Sequence, residues 1–309
     1  MKKNILLVDV DGGRFPNFAL MKICAYHKMI GNNVIVHNDL FRNCYGDIDL
    51  CYASKVFTFS KEELYFPADC EVIKGGTGFD IHSQLPDEIE TMLPDYSMYP
   101  QFEYAVGFLS RGCIRNCPWC IVPEKEGYLY QYSDIEKIAS CGRRHVVLMD
   151  NNFLANDYEF VKEQLEKAQK LNLFIDFNQG LDARKVNELN APLLANTKWK
   201  AATGNNSYIR FACDTMDMVK YLSEAILTLR SHKYNGEIFV YVLAKELDET
   251  LERLNKILAI DPKIHPFVQP YRDFHRNGEI QNHELKRLAR WCNHAAIRKS
   301  CSFLEYKQK

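Results

Sequence analysis

Short apolar runs alternate with longer amphipathic stretches along most of the chain. Ile5-Leu6-Leu7-Val8 has no polar position and predicts a buried strand, because a strand covered on both faces loses the in–out alternation of a surface strand. Over 17–31 the period changes. Leu20, Ile23, Cys24 and His27 fall on one face of a helix, and Gly31 stops it. Residues 33–37, 52–59 and 71–74 read as further strands, the last running into Gly75-Gly76-Thr77-Gly78. Strands parted by short helices predict a parallel, doubly wound α/β sheet, here a small Rossmann-like domain over residues 1–85. Pro86, Pro94 and Pro100 then stand among acids and tyrosines, which predicts an extended linker over 86–103.

A second series begins at Tyr104. Apolar strand patterns recur at 104–109, 145–149, 173–177, 208–213, 237–243 and 265–269. Helical patterns follow at 157–171, from Ala183, at 216–232 and at 248–258, the last with Asp248 and Thr250 as capping residues. Six such units are too few for a closed eight-stranded barrel and predict a (β/α)6 partial TIM barrel over 104–275. In barrels of this kind the chemistry sits on loops at the C-terminal strand ends. Residues 276–309 read as a helical tail that packs Leu285, Leu288 and Trp291, with Lys286, Arg290 and Lys299 either on a solvated face or in a phosphate or nucleic-acid contact.

Composition narrows the class. A chain of 309 residues with 47% hydrophobic and 26% charged residues reads as soluble and globular. No apolar run approaches the ~20 residues that cross a bilayer, and the apolar start is broken by Asp9 and Asp11, so neither a membrane span nor a secretion signal is expected. Eleven cysteines, an odd number in a long chain, predict reduced thiols and a cytoplasmic protein in place of a disulfide scaffold. A net charge of −1 gives no general grip on nucleic acid.

The strongest chemical signal is Arg111-Gly112-Cys113-Ile114-Arg115-Asn116-Cys117-Pro118-Trp119-Cys120. Its spacing is C-x3-C-x2-C, with no fourth cysteine nearby. A cubane iron–sulfur cluster ordinarily takes four cysteines, so three thiolates on one loop leave one iron open to a ligand. Zinc would call for a second Cys or His pair at short range, and the next histidine is His145.

This motif, with an aromatic residue before its last cysteine, resembles the radical S-adenosylmethionine (SAM) superfamily. The resemblance implies a [4Fe–4S] cluster held by Cys113, Cys117 and Cys120, with SAM chelated to the open iron and Trp119 near its adenine. It implies reductive cleavage of SAM to a 5′-deoxyadenosyl radical that activates a substrate C–H bond, with a reductant such as flavodoxin or ferredoxin as partner. The substrate is left open among small metabolites, peptides and nucleotides. Asp150 and Asn152, at the end of the second barrel strand, are placed to accept from the SAM ammonium. Gln179 and Asp182, after the third, face ribose or substrate, and Asp182 is equally suited to cap a helix. Arg210, inside the fourth strand, either forks to the SAM carboxylate or pairs with a neighbouring strand. Val242-Leu243-Ala244 lies where the family contacts adenine, and Tyr271 and Arg272 are candidates for substrate contact.

A Rossmann-like domain ahead of such a barrel resembles the cobalamin-binding class of the superfamily. Its usual cobalt-ligating histidine is missing: the loop over 9–17 has none, and His27 falls in mid-helix. That argues against cobalamin as a cofactor and leaves the domain to cover the barrel or present substrate. Cys44, Cys51, Cys70, Cys292 and Cys301 have no ligand spacing and read as small buried hydrophobes. The competing function is a non-catalytic iron–sulfur or zinc protein whose cysteine loop is structural or sensory.

Overall fold

The computed structural model describes residues 2–37, 47–61, 66, 70–204, 206–274, 280 and 282–307. Cys44 and the expected boundary at 275/276 lie outside the described residues. The chain divides into two compact units, with Glu103 ending the main run of the first and Tyr104 opening the second.

In the first unit, β1 (Asn4–Asp9), α1 (Phe18–Met29), β2 (Asn33–His37), β3 (Leu50–Ser54) and β4 (Glu71–Gly75) follow in chain order. The strands pair in parallel in the order β2-β1-β3-β4. Central β1 is buried throughout its apolar run, and Leu6 and Val8 pack with Val10, Ile48, Cys51 and Ala53. Asn17 caps α1 by accepting from the Leu20 amide at 3.2 Å, and its side-chain amide donates to Ser54 Oγ at 2.9 Å. Strand β3 ends at Ser54, short of the expected 52–59, because the chain turns around Asp11. That carboxylate accepts from the Val56 amide at 2.7 Å and from Ser60 Oγ at 2.5 Å.

The expected linker over 86–103 is folded in place. It forms α2 (Asp87–Glu90) and a 3-10 turn at Tyr96–Met98. Lys28 pairs with Asp95 at 2.7 Å, and the buried Tyr99 hydroxyl donates to buried Asp9 at 2.7 Å. The prolines suggested extension, but Ile89, Met98 and Tyr99 give the segment apolar surface to bury.

The second unit opens with β5 (Ala105–Gly107), β6 (Ser110–Arg111), α3 (Val122–Lys125), β7 (Tyr130–Gln131), α4 (Ile135–Ala139), β8 (His145–Leu148), α5 (Tyr158–Lys170) and β9 (Phe174–Phe177). It continues with α6 (Ala191–Asn196), β10 (Lys198–Trp199), β11 (Tyr208–Ala212), α7 (Met218–Ser231), β12 (Glu237–Ala244), α8 (Leu247–Ile260), β13 (Ile264–Pro270), α9 (His283–Asn293) and α10 (Ala295–Ser300). One parallel sheet runs β10-β9-β8-β5 and a second runs β11-β12-β13. Between them the backbone pairing narrows to an isolated parallel bridge at Leu181 and Phe211, where the Leu181 amide donates to the Arg210 carbonyl at 2.8 Å. The short β6–β7 hairpin is antiparallel and encloses the cysteine loop.

The protein is therefore a mixed α/β fold built on parallel sheets. Its helices differ from expectation at two starts. Helix α8 begins at Leu247, with Glu246 in the cap position, so Asp248 and Thr250 lie inside its first turn, and Thr250 Oγ donates back to the Glu246 carbonyl at 2.5 Å. The helix expected from Ala183 is a single turn, Ala183–Lys185, capped by Asp182. Asn190 holds the Lys185 carbonyl at 2.8 Å there, and helical structure resumes only at α6. Among the described residues, no helix is long and apolar enough to cross a membrane.

Candidate functional site

The cysteine loop leaves the first strand of the second unit through a set of polar braces. Asp150, 1% exposed, follows β8 and accepts from the Leu109 amide at 3.0 Å, the Ser110 amide at 2.6 Å and Ser110 Oγ at 2.8 Å. Burial pushes its carboxyl up to about 6 against the pull of those donors. Asn151 accepts from the Gly112 amide at 3.2 Å. Arg111 closes the loop's base with a two-point fork to Glu126, at 2.7 and 2.9 Å. Gly112 takes a left-handed backbone (φ +76°), and a Cβ there would stand 2.3 Å from the Tyr128 carbonyl oxygen. No side chain completes this turn without moving backbone.

Within the loop the three thiols share one electrostatic neighbourhood. Burial raises Cys117 and Cys120 above the ordinary thiol range; the neighbouring thiols and Asp214 add to the effect, while Arg184 draws Cys117 back down. Cys113 Sγ accepts from the Arg115 amide at 3.3 Å and from Asn152 Nδ2 at 3.4 Å. Asn152 is 3% exposed, and its Oδ1 has no donor. Nearby, buried Asp182 takes a fork from Arg184 (2.7 and 3.1 Å), a contact from Arg115 at 3.3 Å and one from Asn152 at 3.4 Å. Among the described residues, no three His, Cys, Asp or Glu side chains stand ready-converged as a metal site. For one cluster to be shared, the loop has to draw its thiols together.

Asp182 carries a pH expectation. Burial works to raise its pKa, but the Arg184 and Arg115 guanidiniums override burial and hold it below the usual range. A carboxylate depressed in the folded state contributes stability above its unfolded value near ~4, and that contribution is lost as pH falls through the lower folded value. In urea melts between about pH 5 and about pH 3, wild type should lose more stability than Asp182→Asn. Equal losses would remove Asp182 from the acid response.

The expected site residues therefore divide. Cys113, Asn152 and Asp182 are brought together, with Asn152 bonded to both of the others, while Cys117 and Cys120 stay on the same loop without converging on them. Asp150 stands behind them as the brace of the loop's entry. Gln179 is exposed after β9. Arg210 takes the second of its two expected roles: it forks to buried Asp176 across the sheet junction, at 2.5 and 2.9 Å. Lys245 Nζ lies 4.9 Å above the Trp119 ring and 5.5 Å from that of Tyr271. Val242 and Ala244 are fully buried.

Sequence reasoning missed Arg115, Arg184, Asp214 and Lys245. Asp214 and Lys245 lie just beyond the ends of β11 and β12, so their strand-end position was the available signal. The other described cysteines are free thiols. Burial lifts Cys24 to about 11, Cys51 to about 12, Cys213 to about 12 and Cys292 to about 11, as expected of inert packed side chains. Compared with models of known protein families and with curated proteins, the chain matches none of them.

Proposed function

We propose that this protein is a radical SAM enzyme in which Cys113, Cys117 and Cys120 hold a [4Fe–4S] cluster. The observation that carries the reading is the donor set: three thiols on one braced loop at the end of a parallel strand, beside a buried amide oxygen that lacks a donor. The donor chemistry fits, since thiolates are the ligands such a cluster takes. Two arginines share one aspartate there, and the Arg184 charge works against the burial that raises the Cys117 thiol. When bound, the cluster with SAM supplies the one-electron chemistry that generates a carbon radical.

The rest is done by the chain. Asp150, Asn151 and the Arg111–Glu126 fork fix the loop's base. Asn152 offers its orphan oxygen to an ammonium, and Asp182 with Arg115 and Arg184 orders the floor beneath Cys113. The strand succession β5, β8, β9, β11, β12, β13, joined through the Leu181–Phe211 bridge, supports a partial barrel around this site. The parallel sheet of the first unit supports a Rossmann-like accessory domain, and with no histidine in its 9–17 loop it is read as free of cobalamin. Substrate and reductant are unassigned.

Electron paramagnetic resonance on anaerobically reconstituted, reduced protein tests the proposal. A cubane signal that changes on adding SAM, with release of 5′-deoxyadenosine, is the expected result. A colourless zinc protein, or a cluster indifferent to SAM, overturns it in favour of a structural or sensory loop.

A further inference from the structure

We propose that the C-terminal tail is a nucleic-acid-binding surface on which Lys286, Arg290 and Lys307 grip the phosphate backbone. The whole chain carries a net charge of −1, yet residues 282–307 hold six lysines and arginines against two glutamates. Helix α9 sorts its residues onto two sides. Leu285, Leu288, Trp291 and Cys292 are buried. Asn293 pins the end of the helix to β13, accepting from the Val268 amide at 2.7 Å and donating to the Val268 carbonyl at 3.0 Å. Lys286 and Arg290 are four residues apart and therefore neighbours on the opposite side, and both are exposed. Beyond α10 the chain folds back along α9. Trp291 Nε1 donates to the Cys301 carbonyl at 3.0 Å, the Arg287 guanidinium stands 4.2 Å from the centre of the Phe303 ring, and Arg287 Nη1 donates to the Tyr306 carbonyl at 2.8 Å. The next residue, exposed Lys307, is thereby brought beside the turn of α9 that carries Lys286.

Both acids of the tail are already occupied. Glu284 pairs with Arg287 at 2.8 Å, and Glu305 accepts from the Ser302 amide at 2.9 Å and the Ser302 hydroxyl at 2.7 Å. Arg287 and Arg298 are spent on the carbonyls of Tyr306 and Cys292. Among the described residues, Lys286, Arg290 and Lys307 form no ion pair. Exposed cations on flexible stems suit a phosphate backbone, because each contact releases a counterion and needs no matching surface shape. Two other anionic partners fit less well. A helix that lies on a membrane sinks its apolar face into the bilayer, and the apolar face of α9 is already buried. A protein interface centres on apolar and aromatic side chains and is poor in lysine, whereas this patch is built of lysine and arginine. None of these contacts involves the cysteine loop, so the surface stands apart from the cluster assignment.

Fluorescence anisotropy on the full-length chain, with a dye-labelled single-stranded RNA of about 20 nucleotides, tests the surface. Three phosphate contacts on a single strand set a slope of about −2 in log K against log salt, a loss of roughly 20-fold between about 50 and about 200 mM salt. The variant Lys286→Gln with Arg290→Gln and Lys307→Gln is expected to bind about tenfold more weakly at the lower salt and to lose most of that slope. Lys137→Gln with Lys220→Gln and Lys256→Gln removes the same charge from exposed positions elsewhere in the second unit and is expected to bind like wild type. All six positions are exposed, so neither triple variant should lower the melting temperature. No binding by wild type, equal weakening in both triple variants, or wild-type affinity in the tail variant overturns the surface. Binding of phosphatidylserine vesicles that the tail variant loses while its RNA binding persists assigns the patch to lipid, and overturns it as well.

Discussion

Cys117→Ala is expected to abolish both cluster assembly and SAM cleavage. Two thiolates on a short loop cannot hold three irons of a cubane, and no other described thiol is available as a substitute nearby: Cys213 is buried and protonated, with its pKa at about 12. The brown colour of reconstituted protein and the release of 5′-deoxyadenosine should both disappear. The fold should survive, because Cys117 is only half-buried in a loop braced elsewhere. Cys141→Ala is the matched control. That thiol is exposed at the end of α4, so its loss should leave iron content and cleavage at wild-type levels. Retention of colour or cleavage in Cys117→Ala would remove the central claim.

Asp176→Ala is expected to give the largest loss of stability. Asp176 is 1% exposed and Arg210 is 7% exposed, and the two form a two-point fork at 2.5 and 2.9 Å. Asp176 also accepts from the Ala202 amide at 2.7 Å, and the guanidinium lies 4.8 Å from the rings of both Tyr208 and Phe239. Removing the carboxylate strands a buried cation, which costs about 3–5 kcal/mol. For a unit of this size that corresponds to a fall in melting temperature of roughly 10 °C. The pair joins β9 to β11 where, among the described residues, the backbone pairing of the two sheets narrows to the Leu181–Phe211 bridge, so the junction should open first. Replacing both partners, as in Asp176→Leu with Arg210→Met, should recover much of the loss, because neither charge is then left unpaired. Thermal melts of the single and double variants decide this. A single variant as stable as wild type would show that the pair is not the tie across the junction.

Much of the architecture was legible because burial writes itself into the period of the sequence. Continuous apolar runs marked β1, β8, β11 and β12, and the faces of α5 and α7 followed from their helical spacing. Helix α5 starts as its pattern predicted, behind Asp157, which accepts from the Phe160 amide at 2.9 Å. What failed were places where a distant partner competes with local preference. Asp11 bends the chain after β3, and Tyr99 reaches back to Asp9 and folds the expected linker.

The sequence by itself determined the chemistry offered here: three cysteines at C-x3-C-x2-C, bounded by a glycine and an arginine, after a strand of a parallel α/β chain. Ligand identity and spacing are covalent facts that need no fold to be read. Only the tertiary structure decided which charges surround those thiols. It sent Arg210 to Asp176, gathered Arg115 and Arg184 on Asp182, and set Lys245 over the Trp119 ring. The partners in these pairs from separate strands are tens of residues apart in the chain, and a buried charge takes whichever opposite group the packed strands bring within reach.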